Sequence, residues 1–576
     1  MPAGLRISLG QYSDKGRKPS NQDFHGALIP NEPLLSLKGI AIAIADGVSS
    51  GDVSHIASES AVRNFFADYY CTPESWSVKT SAERVLTAIN AWLHSQTRRS
   101  QYAYDRDRGY VCTLSAMVLK STTAHLFHAG DCRIYRIAGN ALEQLTDDHR
   151  VVVSSKRTYL GRALGINPQI EIDYHAIALE KGDVFLLATD GVYEYVSPRF
   201  VAGTVESNLA NLDKAAKLIV DDALRRGSPD NLTIQIIRID DLADADANEV
   251  FGPPSELPPP PLLEAGKPFD GYRIVREIHG SNRSHIYLAV DTDSDDLVAI
   301  KIPSIDMRGD PAYLKRFMLE EWVARRIDSP HVLKPHEHTR KRNYLYSVME
   351  FVDGQTLGQW MIDNPKPDLE TVRNIIEQIA KGLRAFHRKE MLHQDLRPEN
   401  IMIDKTATVK IIDFGSTRIA GVAEAAVRND ILGTTQYAAP EYLLGEAGSP
   451  RSDMFSLGVI GYQMLTGKLP YGSQMAQART RSQFGKLRYH SALDDNREIP
   501  AWIDGALRKA VHTDPGKRYE SLSEFTFDLR NPNSKHLETS PKPLIERNPN
   551  LFWKFATAIL VCVVIALLAS RFLIHH

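Results

Sequence analysis

The run His393-Gln394-Asp395-Leu396-Arg397-Pro398-Glu399-Asn400 sets a carboxylate five residues ahead of an amide, and Ile411-Ile412-Asp413-Phe414-Gly415 brings a second carboxylate shortly after. Moving a phosphoryl group from a nucleotide to a hydroxyl asks for these groups in this order: a carboxylate to take the hydroxyl proton, then an amide and a carboxylate to hold Mg²⁺ against the phosphates. Asp395, Asn400 and Asp413 fit those roles. A chance His-x-Asp on a surface loop would lack the flanking groups.

A second acidic set lies earlier. Asp23, Asp46, Asp131, Asp190 and Asp230 fall at the ends of strand-like segments, most of them beside glycine or asparagine. Hard divalent cations take oxygen ligands, and a two-metal site activates a bridging water while clamping phosphoryl oxygens. Any single Asp-Gly pair is more often a turn. The ordered set is what such a site requires.

The elements around the acidic set are mixed. Gly39–Ala45 alternates, with Ile40, Ile42 and Ile44 on one face, and reads as a strand. Thr113–Leu119, Ala124–His128, Val184–Ala188 and Leu232–Ile237 read likewise. Val53–Tyr70 carries Ile56, Ser60, Ala61 and Phe65 at helical spacing. Strands grouped with helices predict layered α/β or α+β packing over residues 7–240.

Six segments in this region carry a family likeness: Ala45-Asp46-Gly47, Ala129-Gly130-Asp131-Cys132-Arg133, Leu145-Thr146-Asp147-Asp148-His149, Arg162-Ala163-Leu164-Gly165, Leu187-Ala188-Thr189-Asp190-Gly191 and Pro229-Asp230-Asn231-Leu232-Thr233. Together they resemble the bacterial metal-dependent protein phosphatases of the PPM (type 2C) class. The resemblance implies an αββα sandwich and a binuclear Mn²⁺ or Mg²⁺ site. Asp46, Asp190, Asp230 and the Gly47 carbonyl would ligate the two core metals, Asp23 would act through metal-bound water, and Asp131 with Asp190 would form a weaker third site. Lys18 stands where the family usually places a phosphate-binding arginine, and offers a point charge in place of a bidentate fork. After Asp46-Gly47 the chain has Val48-Ser49-Ser50-Gly51 in place of the family's glycine pair.

Residues 241–268 break the pattern, with seven prolines between Pro253 and Pro268. Such a stretch adopts extended polyproline II, which predicts a semi-rigid spacer. Beyond it Tyr272–His279, Ser284–Val290 and Leu297–Ile302 read as strands and Pro311–Ile327 as a helix. Glu320, on that helix, is the candidate ion-pair partner of Lys301. Leu369–His387 is a second helix, with Val372, Ile375, Ile376, Ile379 and Leu383 forming a core stripe.

The catalytic and metal-binding stretches, Val298-Ala299-Ile300-Lys301, Met349-Glu350-Phe351-Val352, Ala439-Pro440-Glu441 and Ser452–Gly458 resemble eukaryotic-type protein kinases over residues 269–529. This implies a two-lobed α+β fold with ATP in the cleft. Lys301 would grip the α- and β-phosphates, and the backbone from Glu350 to Val352 would meet adenine. Arg397 would keep positive charge near the γ-phosphate, Asn400 and Asp413 would hold Mg²⁺, and Arg518 would pair with Glu441. Two positions depart from the family. The glycine positions of the phosphate loop are His279, Ser281 and Ser284, with Gly280 between them, and Gln394 replaces the usual arginine beside Asp395.

Residues 530–550 read as a polar tether. Phe555–Ser570 is an uncharged apolar run of 16 residues between Lys554 and Arg571. With its flanks, over 551–574, it approaches the ~20 residues of a bilayer span. Lys554 and Arg571 can snorkel and Trp553 suits an aromatic belt. The charges ahead of it predict catalytic domains facing the cytoplasm from the inner membrane, on a single pass.

Composition fits this. The chain has 576 residues, 43% hydrophobic and 24% charged, with net charge −3. That excludes disorder as the main state and bulk attraction to nucleic acid. Four cysteines, Cys71, Cys112, Cys132 and Cys562, show no disulfide or metal spacing, as expected of a reducing compartment. The first ten residues carry no signal-peptide pattern. The reading is a membrane-anchored fusion of an αββα phosphatase and a two-lobed Ser/Thr kinase, acting on protein substrates that include itself at Thr417, Thr434 or Thr435. The alternative is a phosphatase regulated by a nucleotide-binding pseudokinase.

Overall fold

The computed structural model describes the chain except for residues 1–3, 49–50, 106–107, 155–156, 243–256, 282, 337–339, 341, 423–435, 496–497, 534–552, 555 and 566–576. Part of the linker, most of the tether, Thr434 and Thr435, and much of the expected membrane segment therefore lie outside the described residues. The chain divides into two compact units, residues 1–360 with 381–430 and residues 361–380 with 431–576.

The first domain begins with β1 (Arg6–Asp14), β2 (Asp23–Leu28), α1 (Leu34–Lys38), β3 (Ile40–Asp46), α2 (Ser54–Tyr70) and α3 (Val78–Arg99). Strands β4 (Leu114–Lys120), β5 (Thr123–Ala129), β6 (Arg133–Ala138), β7 (Ala141–Gln144), β8 (Arg150–Ser154), β9 (Arg157–Leu160), β10 (Asp173–Ala178) and β11 (Val184–Ala188) follow. It closes with α4 (Asp190–Tyr193), α5 (Pro198–Glu206), α6 (Leu212–Arg225) and β12 (Leu232–Asp241).

Two five-stranded sheets, in the orders β1-β12-β11-β6-β7 and β10-β5-β4-β3-β2, pack face to face. Their shared core includes Ile40, Ile42, Ile44, Met117, Leu126, Phe185, Leu187 and Ile237. The outer face of the first sheet is covered by α5 and α6 through Val201, Ala216, Ile219 and Val220. Against the other sheet lie α2 and α3. The result is the expected αββα sandwich. Strand β3 is buried on both faces, with isoleucines toward the opposite sheet and alanines on the other side of the pleat.

Two details differ from expectation. Ile56 is 38% exposed, so the inward face of α2 is set by Ala57, Ala61, Val62 and Phe65. Helix α3 was not anticipated. Ser77 caps its N-terminus by accepting from the Thr80 N–H, and its buried stripe is Ala82, Val85, Leu86, Ile89 and Leu93.

The second domain opens with an antiparallel sheet ordered β13 (Pro268–Phe269), β14 (Tyr272–Gly280), β15 (Ser284–Asp291), β16 (Leu297–Pro303) and β17 (Ser347–Glu350). Helix α7 (Pro311–Arg326) is N-capped by Asp310, whose carboxylate accepts from Ala312 and Tyr313 N–H. The described end of the proline-rich stretch is no free spacer. The Pro258 carbonyl accepts from Leu345 N–H at 2.9 Å, that of Pro260 accepts from Arg308, and Leu263 packs on the core beneath β14 and β15. Polyproline II leaves its carbonyls unpaired within the segment, and here the neighbouring domain supplies the donors. The stripe Val372, Ile375, Ile376, Ile379 and Leu383 is buried as expected.

In the second unit the Pro450–Thr466 helix, with a capping box at Ser449, and the Ala501–Ala510 helix each bury apolar residues. Glu441 and Arg518 meet at 2.7 and 2.8 Å, each almost wholly buried. At the chain's end residues 553–554 and 556–565 are helical. Among the described residues no helix is long and apolar enough to cross a membrane.

Candidate active sites

Five of the predicted aspartates converge on one end of the sandwich. Asp23 and Asp46 face each other in the β2–β3 register. Thr113 holds Asp46 from the next strand: its N–H donates to the Asp46 carbonyl at 2.8 Å, and its hydroxyl accepts from Asp46 N–H at 3.1 Å. Asp131 follows β5, Asp190 opens α4 directly after β11, and Asp230 precedes β12. Strand ends can aim carboxylates from several sheets at one place because each strand delivers its terminal residue rigidly.

Electrostatics marks the place. Asp23 Oδ2 accepts from the hydroxyls of Thr233 at 2.7 Å and Thr189 at 3.0 Å. Its Oδ1 is buried with no hydrogen-bond partner. Burial pushes the Asp23 carboxyl up to about 6 and that of Asp190 up to about 7. Asp46 is driven well above the carboxylate range by burial, then by the charges of Asp23, Asp190, Asp131 and Asp230. Carboxylates that suppress one another's ionisation in a buried cluster favour cations strongly.

Protein cations take part of that role. Lys18 Nζ lies 3.0 Å from Asp230 Oδ1. Arg150 bonds Asp131 at 2.7 Å, Asp190 at 3.0 Å and Glu194 at 2.6 Å. With both in place, no three His, Cys, Asp or Glu side chains among the described residues close on a point as a metal cluster. The all-oxygen donor set and the unpartnered Asp23 oxygen nonetheless fit hard divalent ions. Gly47 is required sterically, since a Cβ there would sit 2.6 Å from the Ser54 carbonyl oxygen. Asn231 pins the Lys18 loop by donating to the Lys15 and Ser20 carbonyls at 2.9 and 3.0 Å.

The second site lies between β16, α7 and the segment 393–415. Lys301 Nζ donates to both Glu320 oxygens, at 2.7 and 2.8 Å, and lies 3.8 Å from Asp413 Oδ1. Burial alone would lower the Lys301 pKa, but Glu320 and Asp413 outweigh it and hold the ammonium charged. Burial also opposes ionisation of Asp413, yet Lys301 and the Gly415 N–H keep that carboxyl below its ordinary value. Asn400 Nδ2 donates to the Asp395 carbonyl at 2.8 Å and to its Oδ2 at 3.2 Å, leaving the amide oxygen as an acceptor. Arg397 pairs with Glu399 at 3.2 Å. The Glu350 side chain is taken up by Lys410 at 2.6 Å and Lys334 N–H at 2.8 Å, so any adenine contact there falls to backbone, next to the buried Val352.

Residues 272–525 match the family described as Protein kinase domain, and residues 12–226 match Protein phosphatase 2C. The chain carries both domains.

The serine/threonine-protein kinase PrkC of Bacillus subtilis is 30% identical over 266 residues, which cover 46% of this chain and 41% of PrkC. The serine/threonine-protein kinase PknA of Mycobacterium tuberculosis is 31% identical over 210 residues, 36% of this chain and 49% of PknA. The chain thus spans about half or less of each of these relatives. Among solved structures, the PknI kinase domain of M. tuberculosis is 26% identical, covering 47% of this chain and 99% of that one, with TM-score 0.37. The catalytic domain of the serine/threonine phosphatase PstP, in complex with two manganese ions, is 21% identical, covering 41% and 99%, with TM-score 0.34.

The kinase domain replaces its missing loop glycines by a side-chain device. Ser281 Oγ accepts from Ser284 N–H at 3.1 Å, and Ser281 N–H donates to the Ser284 carbonyl at 3.0 Å. No described residue of that loop has positive φ, so serine is tolerated where the family uses glycine. Gln394, beside Asp395, does take the left-handed region at φ 66°. Thr417 is buried, 4% exposed. This corrects its choice as a phosphorylation site, because an acceptor hydroxyl must reach a second active site. The phosphatase-domain residues that sequence reading missed are Thr189, Thr233 and Arg150. The threonines lie inside motifs that were singled out, but the direction of their hydroxyls is a property of the fold. Arg150 carries no spacing signal at all.

Proposed function

We propose that the chain is a bifunctional enzyme, a Ser/Thr protein kinase and a metal-dependent Ser/Thr protein phosphatase. The observation that carries the kinase half is the complete set of roles: Lys301 ion-paired to Glu320, Asp413 beside them, and Asn400 holding Asp395. Asp395 takes the proton of the substrate hydroxyl, Lys301 holds the phosphates of ATP, and Arg397 faces the transferring group. Mg²⁺, held by Asn400 and Asp413, supplies charge neutralisation at the phosphates when bound. A pseudokinase would be expected to lack one of these roles. The departure that favours the alternative, a nucleotide-responsive regulator, is the glycine-poor loop.

On the phosphatase side, Asp46, Gly47, Asp190 and Asp230 are the residues for two Mn²⁺ or Mg²⁺ ions. Such ions supply an activated water and a clamp on phosphoryl oxygens. Asp23 assists through its free oxygen, and Asp131 with Asp190 marks the third position. Lys18 is placed to leave Asp230 for a substrate phosphate. Protein substrates carry Ser/Thr or its phosphate. Thr434 and Thr435 of this same chain are candidates, and tethering brings the two activities together at high effective concentration. The apolar tail supports attachment to the inner membrane with both domains in the cytoplasm.

The deciding experiment labels the full chain with γ-labelled ATP and Mn²⁺, alongside Asp46→Asn and Asp395→Asn. Label accumulating on Asp46→Asn and absent from Asp395→Asn supports two opposed activities. No label on any form, with ATP still bound, would favour the regulator.

A further inference from the structure

Helix α7 carries Glu320, and its last two turns are buried almost all round. Leu319, Glu320, Glu321, Trp322, Val323, Ala324 and Arg326 are all buried. A helix buried all round needs cover on every side. The sheet of its own domain takes Glu320 through Lys301 of β16, and Phe317 packs with Tyr313 and Leu345. The remaining side meets the end of α2 and the segment 71–76 that follows it in the phosphatase domain, within the same compact unit.

The cover is specific. Arg326 and Asp68 form an ion pair at 2.7 Å with both side chains 4% exposed. Trp322, wholly buried, donates its indole N–H to the Asp68 carbonyl at 3.3 Å and meets Trp76 edge-on at 5.4 Å between ring centroids. Cys71 Sγ reaches the Arg325 carbonyl at 3.6 Å, one of the acceptors a helix end leaves open. Ser75 Oγ lies 2.9 Å from Met318 Sδ. A second patch grips the root of the catalytic loop. Trp92 donates to the Arg388 carbonyl at 3.2 Å, and Arg99 forms a bidentate pair with Glu390 at 2.8 and 3.2 Å. Gly421, at φ 80°, passes so close to α3 that a Cβ would sit 2.8 Å from the Thr87 carbonyl oxygen.

We propose that the phosphatase domain is the positioning element of the kinase site: through Asp68 it holds Arg326, and with it the helix that presents Glu320 to Lys301. Arg326 is the buried partner of Asp68, whose other cationic neighbour, Lys389, lies farther off at 3.7 Å with its side chain 35% exposed, so removing one member of the buried pair would be costly. Loss of the pair therefore frees the helix to move Glu320 off Lys301. Asp68 and Arg326 act through Glu320 and touch no reacting atom. Asp68 also touches none of the phosphatase carboxylates. It sits fourteen residues along α2 from Ser54, about 21 Å at the helical rise.

This rests on the kinase reading above, so the test has a readout that needs no transfer. In the full chain, Asp68→Arg and Arg326→Asp are each expected to weaken MgATP binding and raise the KM for ATP at least tenfold, and to lower kcat. Hydrolysis of a small phosphoester with Mn²⁺ should stay within twofold of wild type. The double exchange, Asp68→Arg with Arg326→Asp, should recover most of the affinity. Single variants that bind MgATP as wild type does, with phosphatase activity intact, would overturn the proposal. If the wild type binds MgATP but transfers nothing, the kinase reading fails while the affinities still decide the docking. Should the exchanges abolish phosphatase activity too, Ser75→Cys with Met318→Cys decides. Its oxidised, cross-linked form should bind MgATP at least as tightly as its reduced form, and a tenfold weaker oxidised form would overturn the proposal.

Discussion

At Ser281 one hydroxyl ties the loop together. It accepts from Ser284 N–H at 3.1 Å and from Arg283 N–H at 3.3 Å, closing the loop. A hydrogen bond of this kind is worth about 1 kcal/mol. Ser281→Ala should therefore raise the KM for ATP about fivefold with a smaller change in kcat, as steady-state kinetics will read. An unchanged KM would mean the loop is held elsewhere. Lys38 gives a pH signature. It is buried, donates to Thr72 Oγ1 at 2.9 Å and the Pro73 carbonyl at 2.7 Å, and burial pushes its pKa down to about 7 from 10.5. Between those values the unfolded chain holds a proton that the folded chain has shed, so folding strengthens as pH rises through this window. The slope approaches about 1.4 kcal/mol per pH unit for one proton. Against Lys38→Met, which lacks the titrating group, the wild-type melting temperature should climb between pH 7 and 10. Parallel profiles would show that the amine stays protonated in the fold.

Elements explain what reading the chain alone reaches and what it misses. The alternation of Ile40, Ile42 and Ile44 and the stripe Val372–Leu383 were legible because a periodic apolar pattern is a local property. Helix α3 carries the same kind of signal in Ala82, Val85, Leu86, Ile89 and Leu93. Ile56 was misplaced because the pattern of α2 is broad, and burial chose a neighbouring face. The carboxylates and the Lys301–Glu320 pair were legible from motif order. Their threonine and arginine partners were not, nor was the pair of Asp68 with Arg326, since nothing local encodes a partner hundreds of residues away. The packing of Pro258 and Pro260 on the kinase domain was hidden for the same reason. One long-range pair was read correctly. Arg518 bonds Glu441 at 2.7 and 2.8 Å, with Ser452 adding a hydroxyl at 2.6 Å. Removing one partner of such a buried pair costs about 3–5 kcal/mol. Arg518→Leu should shift the urea midpoint of the kinase domain down accordingly, while phosphatase activity persists at urea concentrations that silence the kinase. A midpoint within error of wild type would show the pair to be ornamental.

For the molecule as a whole, the tail poses a question of solvent. In the described helix 556–565, Ile559, Leu560, Val561, Val563, Val564 and Ile565 are 47–68% exposed. They fall on every side, so no single docking face would cover them. Each such side chain left in water forgoes about 1.5–3 kcal/mol relative to full burial. A chain that keeps six together gains by giving them an apolar surrounding on all sides, and a bilayer is one. The flanking Lys554 then sits at one interface. The full chain should sediment with membranes and resist extraction by high salt, while yielding to detergent. A chain ending at residue 548 should stay in the soluble fraction with kinase and phosphatase activities intact, since neither site draws on the tail. If instead the truncated chain also sediments, the two folded domains carry the membrane affinity themselves. If the full chain is released by salt alone, the helix lies on charged surface and does not enter the bilayer.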